Sequence, residues 1–308
     1  DDAVKTRQLI YDRSLAAART MPPLENKQHI MRLRDVDYID KGEFDIPAQK
    51  QAILGNKTLG RRMRGTWDLV DKATGSTIDS RRMTVARVPH LTDNGTFIHN
   101  GLQYTMANQL RLRPGLYTRV KENGEIETHA NFLPGKGVGH RYHLDPAKGV
   151  FYMDFQQAKI PLLPLLRALG AKDSQLREAW GNDLYKQNLA QDKPAALQKL
   201  YSRLVGPRGT AEFEDDMRKE LAEFVSKMEF DPEVNQATIG KPYRNLNLDS
   251  VLDVTKKLLA VSRGEAETDD RDHLSYQTIH GPEDLLSERF LKDTDNLRRQ
   301  LFFKASFN

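Results

Sequence analysis

The chain has 308 residues, a formal net charge of +4, and 29% charged against 38% hydrophobic residues. That length allows one large or two medium domains with a real core, and the charge fraction points to a multi-lobed chain with much exposed surface, suited to an assembly. The absence of cysteine excludes a disulfide framework and a thiolate zinc site, no apolar run approaches a membrane span, and the charge balance is compatible with a polyanionic partner without requiring one. The eight histidines include no H-x-x-x-H pair, and no secretory signal is visible. A soluble protein of a reducing compartment is expected. Because the sequence opens on Asp1, a processed or partial chain is expected too.

In chain order, Leu9, Ile10, Leu15 and Ala18 recur near helical spacing and predict a helix from Val4 to Thr20, ended by Met21-Pro22-Pro23. Ile30–Leu33 and Val36–Ile39 read as short strands, and Pro47–Leu59 as a short helix or loop. The basic run Arg61-Arg62-Met63-Arg64 reads as a solvated edge. A strand starts at Trp67, turns at Ala73–Ser76 and returns over Thr77–Val88. From Met63 to Tyr117 the pattern is a β-meander. Its turns are Asp93-Asn94-Gly95 and Asn100-Gly101, the latter a strong hairpin signal because both residues tolerate positive φ.

After this hairpin, Arg111 and Arg113 stand two apart before Pro114-Gly115, on one face of an extended backbone. Such a pair can straddle a phosphate or carboxylate, although spacing alone fits a solvated basic face more simply. A further hairpin is centred on Asn123-Gly124. Phe132–Gly139 is glycine-dense but lacks the G-K-[ST] ending of a phosphate loop and reads as a connector. Arg141–Asp145 and Gly149–Asp154 read as strands. Helices are expected over Ile160–Gly170, Ser174–Gln187, Lys193–Leu204 and Thr210–Met228. Asp231-Pro232 is expected to break the pattern, with a loop through Asn247. Asp249 is expected to cap a helix over Ser250–Ser262, and a last helix is expected from Pro282 to about Phe303.

Asp269-Asp270-Arg271-Asp272-His273 is the clearest candidate for hard-cation binding or acid–base work. It lacks EF-hand spacing, and a capping or ion-pairing role is the simpler reading. No nucleophile elbow, H-E-x-x-H, Walker or dinucleotide motif is present.

Several stretches carry a resemblance. Leu91-Thr92-Asp93-Asn94-Gly95-Thr96-Phe97-Ile98-His99-Asn100-Gly101, then Gln109-Leu110 with Pro114-Gly115, resemble the N-terminal region of the β subunit of multisubunit DNA-directed RNA polymerases. Leu133–Asp145, Lys159–Gly170, Gly264–Leu274 and Gly281–Leu286 are similar to that family in the same order. The sequence departs from the family at Leu112 and Arg113, where it has Arg-Ser. It departs also at Lys136 for arginine, at Gly139 for tryptophan, and at Ser275–Thr278 for Gly-Asn-Arg-Arg.

The resemblance implies an α+β fold: a β-hairpin-rich protrusion-like domain with an inserted, mainly helical lobe-like domain. The implied parts are 1–117 as protrusion, 118–262 as lobe, and 263–308 as a return segment with a helix packing on the protrusion. It implies a non-catalytic grip on DNA at the polymerase cleft, with Gln109, Arg111, Arg113, Lys136 and Arg141 toward DNA. Asp93, Asn94, Gly95, Asn100, Gly101, Asp269, Asp270, Asp272 and His273 would be structural motif residues. No cofactor is expected on this chain, and Mg2+ is expected in a β′-like partner. The remaining β-like and β′-like subunits and DNA are the implied partners, with no membrane. The implied location is the cytoplasm of a bacterial or infected host cell. The alternative is a phage virion structural or DNA-ejection protein that retains the β-like fold, packaged among virion proteins.

Overall fold

The structure, a computed structural model, describes residues 2–39, 42, 44–206, 209–293, 296, 297, 299, 300 and 303. Two compact units form: residues 1–111 with 279–308, and residues 112–278.

The first unit begins with helix α1 (Asp2–Arg19), which buries Ile10, Tyr11, Ser14, Ala17 and Ala18, one stripe at helical spacing. Strands β1 (Leu24–Glu25), β2 (His29–Tyr38), β3 (Gly60–Asp71) and β4 (Thr77–Pro89) form an antiparallel sheet in that order. The two short strands expected over residues 30–39 are one strand. Asp35 at φ 54° forms a bulge, and pairing resumes at Asp37 opposite Arg64. Helix α2 (Ile46–Leu54) starts on Asp45, whose carboxylate accepts from the Ala48 amide at 2.9 Å.

Strands β5 (Phe97–His99) and β6 (Leu102–Tyr104) form the predicted hairpin. Asn100 and Gly101 have φ of 49° and 76°, as a type I′ turn requires. A Cβ on Gly101 would sit 2.7 Å from Asn56 Oδ1 and 2.8 Å from the Ile53 carbonyl. Gly101→Ala is therefore expected to cost about 2 kcal/mol, from backbone strain and the clash together, read as a lower urea midpoint. Asp93 in the preceding turn accepts from Arg7 of α1 at 2.8 Å. Helix α10 (Pro282–Lys292) completes this unit: Leu286 and Phe290 pack against the cluster containing Ile10, Tyr11 and Met63. The predicted last helix was longer, but residues 294, 295, 298, 301 and 302 lie outside the described set.

Strand β7 (Gln109–Leu112) carries the chain out of the first unit and β13 (Gln277–His280) brings it back. The second unit opens with an antiparallel five-stranded sheet, β8 (Gly115–Val120), β9 (Ile126–Asn131), β10 (His140–Asp145), β11 (Val150–Phe155) and β12 (Ala158–Pro161), in sequential order. Helices α3 (Leu163–Ala168), α4 (Asp173–Trp180), α5 (Asn182–Leu189), α6 (Pro194–Leu204), α7 (Glu214–Ser226), α8 (Pro232–Thr238) and α9 (Leu248–Ser262) follow. They share one core with the sheet, including Leu116, Tyr142, Phe151, Leu166, Leu200, Leu221 and Leu258. The Phe151 and Trp180 rings lie 4.9 Å apart, and the indole N–H donates to Thr255 Oγ1 at 2.9 Å.

The fold class is α+β as expected, with several differences in detail. Ile160 and Pro161 belong to β12, paired with Met153 and Tyr152, so only Leu163–Ala168 of the expected 160–170 helix is helical. The 174–187 helix is two helices, because Gly181 at φ 82° breaks it. Asp231-Pro232 starts α8 rather than opening a loop, with Asp231 accepting from the Glu233 amide at 3.0 Å. Asn247, not Asp249, caps α9.

The expected domain boundaries also move. Residues 115–117 pair within β8 to β9, so the first boundary falls before them, at Arg111/Leu112. Residues 263–278 stay with the second unit because the Asp269 amide donates to the Thr118 carbonyl and the Asp269 carboxylate accepts from the Thr118 amide.

Candidate functional site

Antiparallel register places a set of polar side chains on one face of the five-stranded sheet. Arg119 is opposite Glu127, Glu127 is opposite His143, His129 is opposite Arg141, and Arg141 is opposite Asp154. Since side chains alternate with period two, all six share the face turned away from Thr128, Ala130 and Tyr142.

Glu127 is the centre of this face. It is fully buried and is met by Arg119 at 2.7 Å and His129 Nε2 at 2.6 Å on one oxygen. The other oxygen faces Lys121 Nζ at 3.3 Å and Arg141 Nη1 at 3.8 Å without closing a hydrogen bond. Burial alone would raise the Glu127 carboxyl, but the pull of His129, Arg119 and Lys121 outweighs it and pushes the group down to about 2.

His129 has a defined tautomer. Arg271 Nη1 lies 3.1 Å from His129 Nδ1 and can only donate, so the imidazole proton sits on Nε2 and is given to Glu127. Burial lowers the His129 pKa, with Glu127 opposing and Arg271 and Arg119 adding to it. The result is one buried carboxylate ringed by Arg119, Lys121 and Arg141, the last 49% exposed. Beside it lies a cleft of about 480 Å³ lined by His129, Asn131, Gly139, Arg141, Asp154 and Gln156 among others. Gly139 leaves this cleft open: a Cβ there meets nothing closer than 3.6 Å.

The residues singled out from sequence are distributed differently. Arg111 lies in the first unit, ion-paired to buried Glu288 and hydrogen-bonded to Gln109 Oε1 at 3.2 Å. Arg113 lies in the second, bonded to Asp231 at 2.6 Å and Glu233 at 2.7 Å. The two guanidinium groups therefore go to separate carboxylates instead of straddling one anion. Lys136 pairs with Glu229 at 3.2 Å. Arg141 alone of the five belongs to the Glu127 cluster.

The acidic motif is a set of staples. Asp269 accepts from the Thr118 amide at 2.7 Å and from Lys257 at 2.7 Å. Asp270 accepts from the Asp272 amide at 3.0 Å, and His273 caps the 3-10 turn Leu274–Tyr276 through Ser275. Among the described residues no group of three His, Asp or Glu side chains is placed to hold a metal ion.

Arg119, Lys121, Glu127 and His129 were not singled out from sequence, and Arg271 only as part of the acidic run 269–273. The signal lay in the Lys121–Glu125 turn. Its three-residue loop, with Gly124 at φ 83°, fixes Lys121 opposite Glu125 and hence Arg119 opposite Glu127.

Residues 113–280 match the family model described as RNA polymerase Rpb2, domain 2. The match covers more than half of the chain, and the chain belongs to this family. It coincides with the second compact unit to within two residues at each end. The β subunit of DNA-directed RNA polymerase from Macrococcus caseolyticus (strain JCSC5402) is 29% identical over 196 residues, 60% of this chain and 16% of the relative. The same subunit from Staphylococcus aureus (strain JH9) gives the same identity and coverage. The chain thus spans about a sixth of the length of the curated relatives it matches. Among the described residues no helix is long and apolar enough to cross a membrane.

Proposed function

We propose that the chain is a β-subunit-like component of a DNA-directed RNA polymerase, which grips DNA and catalyses nothing by itself. The observation that supports this reading most is the coincidence of the family-matched span 113–280 with a unit whose sheet face carries Arg119, Lys121 and Arg141 around one carboxylate. A cation-rich face of this kind suits phosphate contacts, which position a duplex without reading its sequence. Arg141, half exposed and no closer than 3.8 Å to Glu127, is the contact proposed first, with Lys121, itself paired to Glu125 at 3.1 Å, beside it; Arg111 and Arg113 are balanced by Glu288, Asp231 and Glu233. The remaining β-like and β′-like chains would be the partners. The β′-like chain would carry the catalytic Mg2+, and the assembly would work in the cytoplasm.

Lys121→Ala/Arg141→Ala is the direct test, since it leaves the Arg119–Glu127–His129 bonds in place. In the chain assembled with its polymerase partners, duplex DNA affinity is expected to fall. The slope of log affinity against log salt should become shallower by about 1.8, for two phosphate contacts. An unchanged affinity and slope would remove this face from the DNA path.

A further inference from the structure

The cleft beside the Glu127 cluster has a floor and a rim, and the bonds described above use only part of it. Its floor is a row across three strands: His129 on β9, Arg141 on β10 and Asp154 on β11, each opposite the next. Its rim includes Asn131, Gln156 and Gln157. His129 has both ring nitrogens engaged, by Glu127 and Arg271. His140 has both engaged too, by the Val138 carbonyl and the Tyr142 hydroxyl. These two rings are walls with no hydrogen-bonding capacity left.

The charged pair is different. Directly opposite residues in an antiparallel ladder have Cβ atoms about 5 Å apart, close enough for arginine and aspartate to join. Arg141 and Asp154 do not join. Among the described residues the guanidinium only approaches Glu127, at 3.8 Å, and the carboxylate only approaches His143 Nδ1, at 3.4 Å. Neither approach closes a hydrogen bond, and the Glu127 oxygen and His143 nitrogen concerned are buried without a partner. A cation and an anion thus line one cleft side by side, each with its hydrogen-bonding capacity unspent. The backbone of the rim is unusual as well. Gln156 and Gln157 make the two-residue turn between Phe155 and Ala158, with φ of 47° and 66°. Asn-Gly takes such a turn without strain, whereas glutamine is unfavourable in the left-handed region. Strain of this kind collects at ligand clamps, and here it accompanies two amide side chains at a cleft.

We propose that this cleft binds a free α-amino acid with an uncharged polar side chain. The planar fork of Arg141 takes the α-carboxylate and Asp154 takes the α-ammonium. Using both requires the two charges on one small molecule, since the end of a peptide carries only one of them. The amides of Asn131, Gln156 and Gln157 each offer donors and an acceptor, which suits a side-chain amide or hydroxyl on the ligand. The volume of about 480 Å³ lies in the range of small-molecule sites. The proposal does not rest on the polymerase reading, although a bound amino acid and a DNA phosphate would compete for Arg141.

The test titrates the full chain with L-glutamine up to about 10 mM, read by calorimetry and by NMR shifts of the β10 and 156–157 amides. Saturable binding is expected with a Kd of roughly 0.1–1 mM. N-acetyl-L-glutamine lacks the ammonium and L-glutaminamide lacks the α-carboxylate, and each should bind at least about tenfold more weakly. Asp154→Asn should lower the affinity for L-glutamine at least about tenfold. It keeps Arg141 and Lys121, so duplex DNA binding by the assembled chain should not weaken, which separates failure here from failure of the DNA reading. Gln156→Asn/Gln157→Gly should raise the urea midpoint and yet weaken L-glutamine binding, a combination that a purely structural turn does not give. The proposal is overturned if L-glutamine gives no saturable shift, or if N-acetyl-L-glutamine binds as tightly. It is overturned also if Asp154→Asn, with an unchanged thermal midpoint, binds like the parent. Guanosine saturating the same amides in place of L-glutamine would overturn it too, making the cleft a nucleobase site.

Discussion

Asp269→Ala is expected to lower the stability of the second unit by about 3–5 kcal/mol, the cost of breaking a buried ion pair from one side. The Lys257 side chain is only 13% exposed and gives its ammonium to both Asp269 oxygens, at 2.8 and 2.7 Å. The same carboxylate accepts from the Thr118 amide, while the Asp269 amide donates to the Thr118 carbonyl at 2.8 Å. Alanine leaves a buried ammonium with only the Thr238 carbonyl, and leaves a strand N–H without an acceptor. Burial raises the Asp269 carboxyl, and Lys257 and Thr118 only partly oppose it. The pair is thus costly to hold as well as costly to break. Lys257→Met/Asp269→Leu should accordingly recover much of the loss. Urea unfolding of the three chains decides it: an Asp269→Ala chain within about 1 kcal/mol of the parent would show that the staple is dispensable.

Acid should destabilise the same unit through Glu127. The folded carboxyl is held at about 2 against an ordinary value of 4.5, so its contribution is fully present above pH 4.5 and is lost as the pH falls toward 2. A depression of that size is worth on the order of 3 kcal/mol. Other depressed carboxyls, Asp68, Asp93 and Asp173 among them, also weaken the chain in acid. The informative measurement is therefore the difference between parent and Glu127→Gln. That variant should be less stable than the parent at neutral pH and should converge on it between pH 4.5 and 2. Parallel stability curves across that window would mean that Arg119, Lys121 and His129 do not depend on the carboxylate charge.

Local chemistry was legible in the sequence and distant pairing was not. The Asn100-Gly101 hairpin follows from two residues that accept positive φ, and the α1 stripe from spacing along one helix. Pro232 was ambiguous because proline both ends one helix and opens another, and only the Asp231 cap shows which. Arg111 and Arg113 looked like neighbours because strand spacing keeps them on one side. Their partners, Glu288 and Asp231, lie more than a hundred residues away, on elements that no local pattern connects to them. The Glu127 cluster needed register across three strands. One turn length would have supplied β8 to β9, but not β9 to β10, whose connection is irregular. The resemblance compensated in part: it marked the matched region and the α+β class, while leaving residue pairing to the structure.

The packing of α10 on α1 has a consequence for synthesis. Leu286 and Phe290 cover the Ile10–Tyr11 cluster, and Asp284 pairs with Arg13. These contacts join segments more than 270 positions apart. At about 5–20 residues per second, α1 leaves the ribosome tens of seconds before α10 does. The second unit, whose core is internal to 112–278, completes its sequence only just before α10 begins at Pro282. In the first unit Val36, Met63, Val88, Leu91 and Phe97 can cover Ile10 and Tyr11 early, while the share that Leu286 and Phe290 cover stays open until α10 is made. The first unit therefore reaches its full packing only when α10 arrives, after the whole second unit has been made.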